Sequence, residues 1–452
     1  MSAAPLNDGL LLSYYGDDLT GSTDVMEALA MHGVPTVLFV KRPTAAQRAM
    51  FEDARAIGLA GTSRSESPAW MDAHLPGAFA WLKALGAALC HYKVCSTFDS
   101  APQVGSIGRA LDIGAALFAQ PLTPVVVGVP QMRRYTVFGN HFAAVDGVVH
   151  RLDRHPVMSR HPVTPMNDAD LARHLGRQTA KRIALADYVL LGGEDADAAV
   201  DRLLAREEEA GVLLFDVPDR AIQKVVGRQL WRHRRAGGRF VVGSSGVEYA
   251  LIQQWLAERR IPGTADFAPP GAVERIAVVS GSCSEITARQ IRWAEQHGFA
   301  AIALDARRLA SEADGAAAFE DALAQGFAAL RRGHSVVLYT ALGPGSDLVA
   351  AADCDEAFRH RIGRQLGAIL RQLVERESLA RVVIAGGDTS SHALQQLGVF
   401  ALTTRLPLPE TPGSPLCTAH SEHEAFDGLQ IALKGGQIGS EAYFGNIRDG
   451  RR

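Results

Sequence analysis

The chain has 452 residues, more than one hydrophobic core usually organises, so we expect two domains. Its 47% hydrophobic and 21% charged residues are typical of a globular protein and exclude a disordered one. A net charge of −3, with no separate basic run, argues against nucleic acid as a partner.

The sequence also argues against a membrane protein, because no stretch approaches the roughly 20 apolar residues of a membrane span. Its start lacks the basic region with which a signal peptide begins. The cysteines are scattered and lack CxxC spacing, so we expect reduced thiols and neither a disulfide framework nor a zinc site. We therefore expect a cytoplasmic protein.

The first half alternates short apolar strands with helical patterns. It begins with a strand in "GLLLSYY", a turn in "GDDLTG", a helix in "STDVMEALAMHG" and a strand in "VPTVLFV". Further strands are predicted at "DARAIGLAG", "PVVVGVP", "YVLLGG", "GVLLFDV" and "GRFVVGSSG", with a long helix in "AWMDAHLPGAFAWLKALGAALCHY". Residues 136–165 interrupt this alternation of strands and helices and suggest an antiparallel excursion or an irregular lid. The alternation predicts an α/β fold.

A cluster of Pro and Gly in residues 259–274 marks the predicted domain boundary. We expect an N-terminal domain of residues 1–262 and a C-terminal domain of residues 272–452. The pattern restarts after the boundary with "RIAVVSGSCSEIT", "SVVLYTALGPGSD" and "RVVIAGGDTSSHAL". Each domain is therefore predicted to hold a largely parallel sheet flanked by helices.

Two adjacent carboxylates, Asp17 and Asp18, follow the first predicted strand. Ligands of open parallel sheets bind beyond the carboxyl ends of the strands. One Asp at this point is also explained as a helix cap, but two adjacent carboxylates repel each other and usually require a cation or a hydroxyl-bearing ligand. We therefore expect a functional site here.

Two loops of the second half, "SGSCSEIT" and "AGGDTSS", combine flexible backbone with hydroxyl groups at predicted helix starts. Exposed N–H groups and the helix dipole favour phosphate at such places. Neither loop is a GK[ST] phosphate loop or a GxGxxG dinucleotide motif.

The stretches "DDLTG", "KVCSTFDS", "SGSCS", "AGGDTS" and "LKGGQIG", in this order, resemble the four-carbon acid sugar kinase family. The resemblance runs from Asp17 to Gly439. It implies that the N-terminal domain binds a sugar acid, the C-terminal domain binds ATP, and the two ligands meet at the interdomain cleft. The implied reaction is ATP-dependent phosphorylation of a hydroxyl, expected to be a terminal one.

The resemblance also implies roles for individual residues. The catalytic carboxylate is Asp17 or Asp18. Substrate binding falls to residues of the N-terminal loops, namely Thr20, Lys93, Ser96, Thr97, Asp99, Arg133 and Arg134. The nucleotide is surrounded by residues of the C-terminal loops, namely Ser282, Ser284, Thr287, Gly386, Gly387, Asp388, Thr389, Gly435 and Gly436. Mg²⁺ bridges the phosphates of ATP, and no residue is assigned as its direct ligand.

One stretch departs from the family pattern. Members commonly have a lysine followed by a "DSTLRG"-like sequence, whereas Cys95 and Asp99 stand here at the expected Asp and Arg positions. Arg133 and Arg134 could restore the positive charge that an anionic substrate needs. We therefore expect a tetronate, a 3-oxo-tetronate or a branched acid such as 3-oxo-isoapionate.

Two other functions are compatible with this architecture. A nicotinamide-dependent sugar-acid dehydrogenase would use the same fold, although the dinucleotide motif is missing. A non-catalytic sugar-acid sensor would need neither the carboxylate pair nor the phosphate loops. We expect a small-molecule partner, no nucleic acid and no membrane, and we allow for a homodimer.

Overall fold

This computed structural model describes residues 9–145, 147–161, 163–234, 238–343 and 356–451. The described residues form two compact units, drawn from Met1–Val37 with Phe51–Ala265 and from Leu38–Met50 with Asp266–Arg452. Residues 38–50 pack with the second unit, although they lie inside the predicted N-terminal domain of residues 1–262. No helix of the described residues is long and apolar enough to cross a membrane.

The elements of the first 265 residues are β1 (Leu12–Gly16), α1 (Leu19–Met31), β2 (Thr36–Phe39), α2 (Ala45–Ala49), β3 (Ala56–Ala60), α3 (Pro68–Ala84), β4 (Leu89–Lys93), α4 (Ile107–Leu117), β5 (Thr123–Val126), β6 (Arg134–Val137), β7 (Asn140–Val145), β8 (Val148–Arg151), α5 (Leu171–Leu175), β9 (Arg182–Ala186), α6 (Tyr188–Leu191), α7 (Ala196–Arg206), β10 (Ala210–Phe215), α8 (Arg220–Arg232), β11 (Arg239–Gly243) and α9 (Gly246–Ala257).

The elements that follow are β12 (Ala277–Ser280), α10 (Glu285–Glu295), β13 (Phe299–Ala303), α11 (Ala306–Ala310), α12 (Gly315–Arg331), β14 (Ser335–Tyr339), α13 (Glu356–Glu377), β15 (Arg381–Ala385), α14 (Gly387–Gln396), β16 (Val399–Leu406), β17 (Leu416–Ser421), β18 (Gln430–Lys434) and α15 (Tyr443–Asp449).

The first unit is built on a parallel sheet with the strand order β3-β1-β4-β11-β5-β10-β9. Lys93 at the end of β4 pairs with Gly16 of β1 on one side and with Gly243 of β11 on the other. The carboxyl ends of these strands therefore lie at one edge. Aromatic side chains fill the core beneath that edge, where the rings of Tyr15 and Tyr92 stack with centroids 5.9 Å apart.

A small antiparallel sheet of β6, β7 and β8 belongs to the same unit, which confirms the predicted antiparallel excursion. His141 of β7 joins it to the loop after β4, because its Nε2 lies 2.8 Å from the carbonyl oxygen of Ser96.

The second unit has parallel strands in the order β13-β14-β12-β15-β18, followed by the antiparallel strands β17 and β16. Leu38 and Phe39 of β2 pair antiparallel with β16. Ser280, Ala385 and Lys434 are paired neighbours at the carboxyl ends of β12, β15 and β18. The glycine-rich loops that follow these strands therefore start from one edge.

The structure corrects two predicted elements. The stretch "YVLLGG" is the helix α6 rather than a strand, because Asp187 caps it by accepting a hydrogen bond from the backbone N–H of Leu190. The long helix predicted through "ALCHY" stops at Ala84, and residues 89–93 form β4 instead. Lys93 is therefore the last residue of a buried strand rather than a residue that follows a helix.

Candidate active site

Asp17 is the first residue after β1 and is almost completely buried. Its backbone N–H donates to the carbonyl of Lys93 at 2.9 Å, and its own carbonyl accepts from the N–H of Arg64 at 3.1 Å. Its Oδ1 finds no hydrogen-bond partner within the described part of the chain. Burial, helped by the neighbouring charge of Asp18, raises the pKa of Asp17 to about 7. This carboxylate can accept a proton near neutral pH.

Asp18 has a different role, because it is the N-cap of α1. Its Oδ1 accepts from the backbone N–H of Gly21 at 2.5 Å, and its Oδ2 accepts from Arg64 at 2.8 Å. The helix-cap explanation therefore applies to Asp18 and leaves Asp17 to be explained. A buried hydroxyl oxygen, Oγ1 of Thr20, likewise has no partner among the described residues.

Arg64 brings together two carboxylates that are distant in sequence. It lies in a short 3₁₀ turn after β3, and its Nη2 is 2.9 and 3.1 Å from the two carboxylate oxygens of Asp99. Burial alone would raise the pKa of Asp99, but the Arg64 charge and a 2.5 Å hydrogen bond from Thr97 hold it well below its usual range. The Asp99 carboxylate is therefore ionised at neutral pH and is paired with Arg64.

Lys93 lies beside Asp17 and is also buried. Its Nζ donates to the carbonyl of Val94 at 3.0 Å and is 3.5 Å from Oδ2 of Asp24 on α1. Burial opposes the charge of Lys93, but the carboxylates of Asp24 and Asp17 outweigh it, and the pKa lies above the usual value. A Cβ added to Gly21 would lie 3.2 Å from this ammonium and 2.6 Å from Oδ1 of Asp18. The space around these groups therefore requires glycine at residue 21.

The loop after β4 turns sharply at Phe98, whose φ of +57° is unusual for a residue other than glycine. The turn lets Thr97 donate to Asp99, while Sγ of Cys95 lies 3.0 Å from the same Thr97 hydroxyl. Ser96 is buried, and its carbonyl contacts His141. Hydrogen bonds within the loop and the contact of Ser96 with His141 of β7 therefore fix the conformation of the loop.

The two predicted arginines behave differently. Arg133 is exposed, and its guanidinium donates to the carbonyl of Gly147 at 2.7 Å. Arg134 directs Nη1 to backbone carbonyls, including that of Ala144 at 3.1 Å. Its Nε is buried without a partner among the described residues, and it pairs with no carboxylate there. Nη1 of Arg134 also lies 3.3 Å from the backbone carbonyl oxygen of Arg133, whereas the Arg133 guanidinium contacts no other predicted residue in the described part of the chain.

Four of the predicted nucleotide residues, Ser282, Ser284, Thr287 and Gly436, form one hydrogen-bonded cluster in the second unit. Ser284 caps α10 by accepting from the N–H of Thr287 at 3.1 Å, and its hydroxyl donates to the carbonyl of Gly436. The Thr287 hydroxyl lies 3.1 Å both from Oγ of Ser282 and from the carbonyl of Gly436. The loops after β12 and β18 are thus joined.

The third loop contributes the start of α14. Gly386 has a φ of +115°, and a Cβ there would lie 3.0 Å from Oγ1 of Thr389 and 3.4 Å from the backbone nitrogen of Ser282. A Cβ on Gly387 would meet nothing within 4 Å in the described residues. The side chain of Asp388 lies outside the described residues. No group of three His, Cys, Asp or Glu side chains suited to a metal occurs in the part of the chain that the structure describes.

Sequence reasoning missed three charged residues of these clusters: Arg64, Asp24 and Lys434. Arg64 follows a strand predicted from "DARAIGLAG", and Asp24 lies on the predicted first helix. Lys434 stands inside the quoted stretch "LKGGQIG", where the lysine itself was the available signal.

Comparison with known families assigns a class to each half of the chain. The family described as sugar-binding N-terminal domain matches residues 12–251, and the family described as nucleotide-binding C-terminal domain matches residues 277–444. A sugar-binding domain followed by a nucleotide-binding domain is the architecture of a sugar kinase, and it is the division of ligands that the resemblance implied.

Full-length relatives make the assignment specific. A 3-oxo-isoapionate kinase of Paraburkholderia graminis is 49% identical over 98% of this chain and 95% of its own length. A 3-oxo-tetronate kinase of Methylobacterium radiotolerans is 32% identical over 97% of this chain and 99% of its own. The chain belongs to the four-carbon acid sugar kinase family, and it is an ATP-dependent kinase rather than a dehydrogenase or a sensor.

Solved structures support the fold. A protein of Salmonella typhimurium LT2 aligns with a TM-score of 0.77 over 98% of this chain and 99% of its own, at 24% identity. A Haemophilus influenzae protein aligns with a TM-score of 0.70 over 96% and 99%, at 23% identity.

Proposed function

We propose that this protein transfers the γ-phosphoryl group of ATP to a hydroxyl, expected to be the terminal one, of 3-oxo-isoapionate or a closely similar branched 3-oxo sugar acid. The observation that carries the proposal is the buried Oδ1 of Asp17, which has no partner in the described residues at the sheet edge of the sugar-binding domain. The 49% identical relative, named a 3-oxo-isoapionate kinase, supports this substrate over a linear tetronate.

In the proposed mechanism Asp17 receives the proton of the attacking hydroxyl. A general base works best when its pKa is near the working pH, and the pKa of Asp17 is raised to about 7. A substrate hydroxyl would also give Oδ1 the hydrogen bond that it lacks. The neighbouring ammonium of Lys93 stabilises the ionised form of Asp17 and can donate to a substrate oxygen.

Asp18 and Asp99 support the site rather than carry out the chemistry. Both are held by Arg64, and Asp18 also starts α1, so they fix the turn that presents Asp17. Because Arg64 is occupied by these carboxylates, it is a poor receptor for the carboxylate of a sugar acid. The hydroxyl end of the substrate is therefore expected to face this region, near Asp17 and Thr20.

Arg134 is the proposed partner of the substrate carboxylate. It is half-buried, its Nε has no hydrogen-bond partner in the described residues, and no carboxylate there pairs with it. Charge-assisted pairing with a carboxylate would satisfy its free hydrogen-bonding capacity. Ser96 and Thr97 would line the space between the two ends of the acid. Arg133 is a weaker candidate because it is exposed and already donates to Gly147.

The nucleotide is proposed to bind at the three glycine-rich loops of the second unit. The first N–H groups of α10 and α14 have no partners within their helices, and the helix dipoles favour phosphate there. Gly387 is exposed and leaves the backbone accessible, and the hydroxyl of Thr389 lies close to the neighbouring Gly386. Mg²⁺ would arrive with the nucleotide and neutralise phosphate charge during transfer.

The test is ADP release by the purified protein with ATP, Mg²⁺ and a panel of sugar acids that contains tetronates, 3-oxo-tetronates and branched 3-oxo acids. We expect the highest kcat/KM for 3-oxo-isoapionate and a phosphorylated product by mass spectrometry. ADP release no higher than that of Asp17→Asn with every acid would overturn the proposed function. A preference for a linear tetronate would overturn the substrate assignment alone.

A further inference from the structure

Lys434 is the last residue of β18 and is completely buried. Its Nζ donates to the carbonyl of Gly435 at 2.7 Å, to Oγ1 of Thr287 at 3.0 Å and to the carbonyl of Gly436 at 3.3 Å. Its backbone carbonyl accepts from the N–H of Gly386 at 2.8 Å. One residue thus joins the three loops of the proposed nucleotide site.

All the hydrogen-bond partners of this side chain among the described residues are neutral, which is unusual for a buried lysine. On the packed elements, Glu285 of α10 is exposed and pairs with Arg292, and Arg289 is exposed beside Glu441. Arg381 lies at the far end of β15 with Gln430, and His420 of β17 contacts Thr403. Burial alone lowers the pKa of Lys434 to about 7.

The three hydrogen bonds fit both protonation states of the amine. An ammonium donates to all three oxygens, which leaves the Thr287 hydroxyl to donate to Ser282 or Gly436. A neutral amine donates to the two glycine carbonyls and accepts from the Thr287 hydroxyl. Loss of the proton therefore keeps all three contacts of the amine and turns only the Thr287 hydroxyl hydrogen from Ser282 or Gly436 toward Nζ.

We propose that Lys434 takes up a proton from solvent when a nucleoside triphosphate binds to the loops at Ser282, Gly386 and Gly436. The inference rests on the proposed nucleotide site. Phosphate charge supplies the counter-charge that the described cluster lacks, so bound nucleotide favours the ammonium over the neutral amine. Lys434 is then a positioning residue whose charge acts on the phosphates through the loop of Gly435 and Gly436.

Calorimetric titration with ATP tests this inference. It is done without sugar acid, in excess Mg²⁺ at about pH 8, in buffers that differ in heat of ionisation. The dependence of the binding heat on the buffer gives the number of protons taken up. We expect nearly one proton for the wild type and for Lys41→Met, which removes an exposed lysine of the second unit, and about zero for Lys434→Met.

Each outcome has a distinct meaning. Absence of ATP binding to the wild type would contradict the proposed nucleotide site itself. Binding without proton uptake would overturn the inference alone, and so would uptake that persists in Lys434→Met. If that variant does not fold or bind ATP, lysine NMR decides, with the Lys434 signal assigned by replacing the other five lysines of the sequence one at a time. Its titration midpoint must then rise on adding ATP, and an unchanged midpoint overturns the inference.

Discussion

The guanidinium of Arg64 contacts both carboxylate oxygens of Asp99. Asp99 stands at the position where members of this family commonly carry an arginine. The positive charge thus comes from the turn after β3 rather than from the loop after β4. Changing Cys95 to Asp and Asp99 to Arg, to restore the common pattern, would place a second guanidinium against Arg64. A test of this departure from the family pattern must therefore change Arg64 and Asp99 together.

The first prediction concerns the strength of this pair. Removing Arg64 leaves the buried Asp99 without its cation, so Arg64→Met should lower the Tm by on the order of 5–10 °C. Asp99→Asn should cost less, because Arg64 keeps Asp18 as a partner. The double variant should cost less than the sum of the two single changes, which calorimetry of all four proteins can measure.

A matched control for this cycle is the pair of Arg109 and Asp72, whose side chains are both about half exposed. Arg109→Met should shift the Tm by only about 1–3 °C, since exposed ion pairs contribute little. Strict additivity at Arg64 and Asp99 would show that the two residues do not stabilise each other.

The second prediction separates the two adjacent carboxylates. Asp17→Asn should reduce kcat by about 10²-fold or more with little change in ATP affinity, because it removes the proton acceptor. Asp18→Asn keeps a good helix cap and should lose much less activity. Steady-state kinetics and ATP titration of both variants provide the measurement. A greater loss in Asp18→Asn would reverse the roles proposed for the two residues.

The third prediction concerns the pH dependence of stability. The pKa of Asp17 is about 7 in the folded protein, above the roughly 3.9 of an unfolded Asp, so the folded state binds the proton more tightly. This contribution to stability is present at low pH and is lost as the pH rises through about 7. Relative to wild type, Asp17→Asn should therefore gain stability between pH 5 and pH 8.

Scanning calorimetry of wild type and Asp17→Asn at both pH values is the check, and Asp72→Asn, at an exposed position, serves as the control. A difference in Tm between wild type and Asp17→Asn that does not change with pH would mean that Asp17 ionises at its ordinary pKa.

Local sequence patterns were sufficient to predict the turn around Asp17. The apolar run before it and the helical spacing after it predicted β1 and α1, and register between parallel strands then places Lys93 beside it. Arg64 could not be found in this way, because it lies 46 residues from Asp18 and 35 from Asp99. Strand β4 was predicted as part of a long helix, because its apolar residues continue the apolar spacing of α3 without a break. In such cases tertiary pairing, rather than local pattern, determines the structure.

The last prediction concerns the nucleotide loop at the start of α14. Gly387 lies at the first position of the helix, its φ is not in the left-handed region, and a Cβ there would meet nothing within 4 Å in the described residues. Gly387→Ala should therefore leave the Tm unchanged or slightly higher, since alanine favours the helix. If phosphate approaches the backbone at this point, the added methyl group should raise the Kd for ATP at least about tenfold, a loss of roughly 1.4 kcal/mol, and leave the Kd for the sugar acid unchanged.

Gly77 on α3, where a Cβ also meets nothing within 4 Å in the described residues, provides the control Gly77→Ala, which should affect neither ligand. Calorimetric titration with each ligand measures the effect, and normal ATP affinity in Gly387→Ala would mean that the phosphates do not lie against this turn.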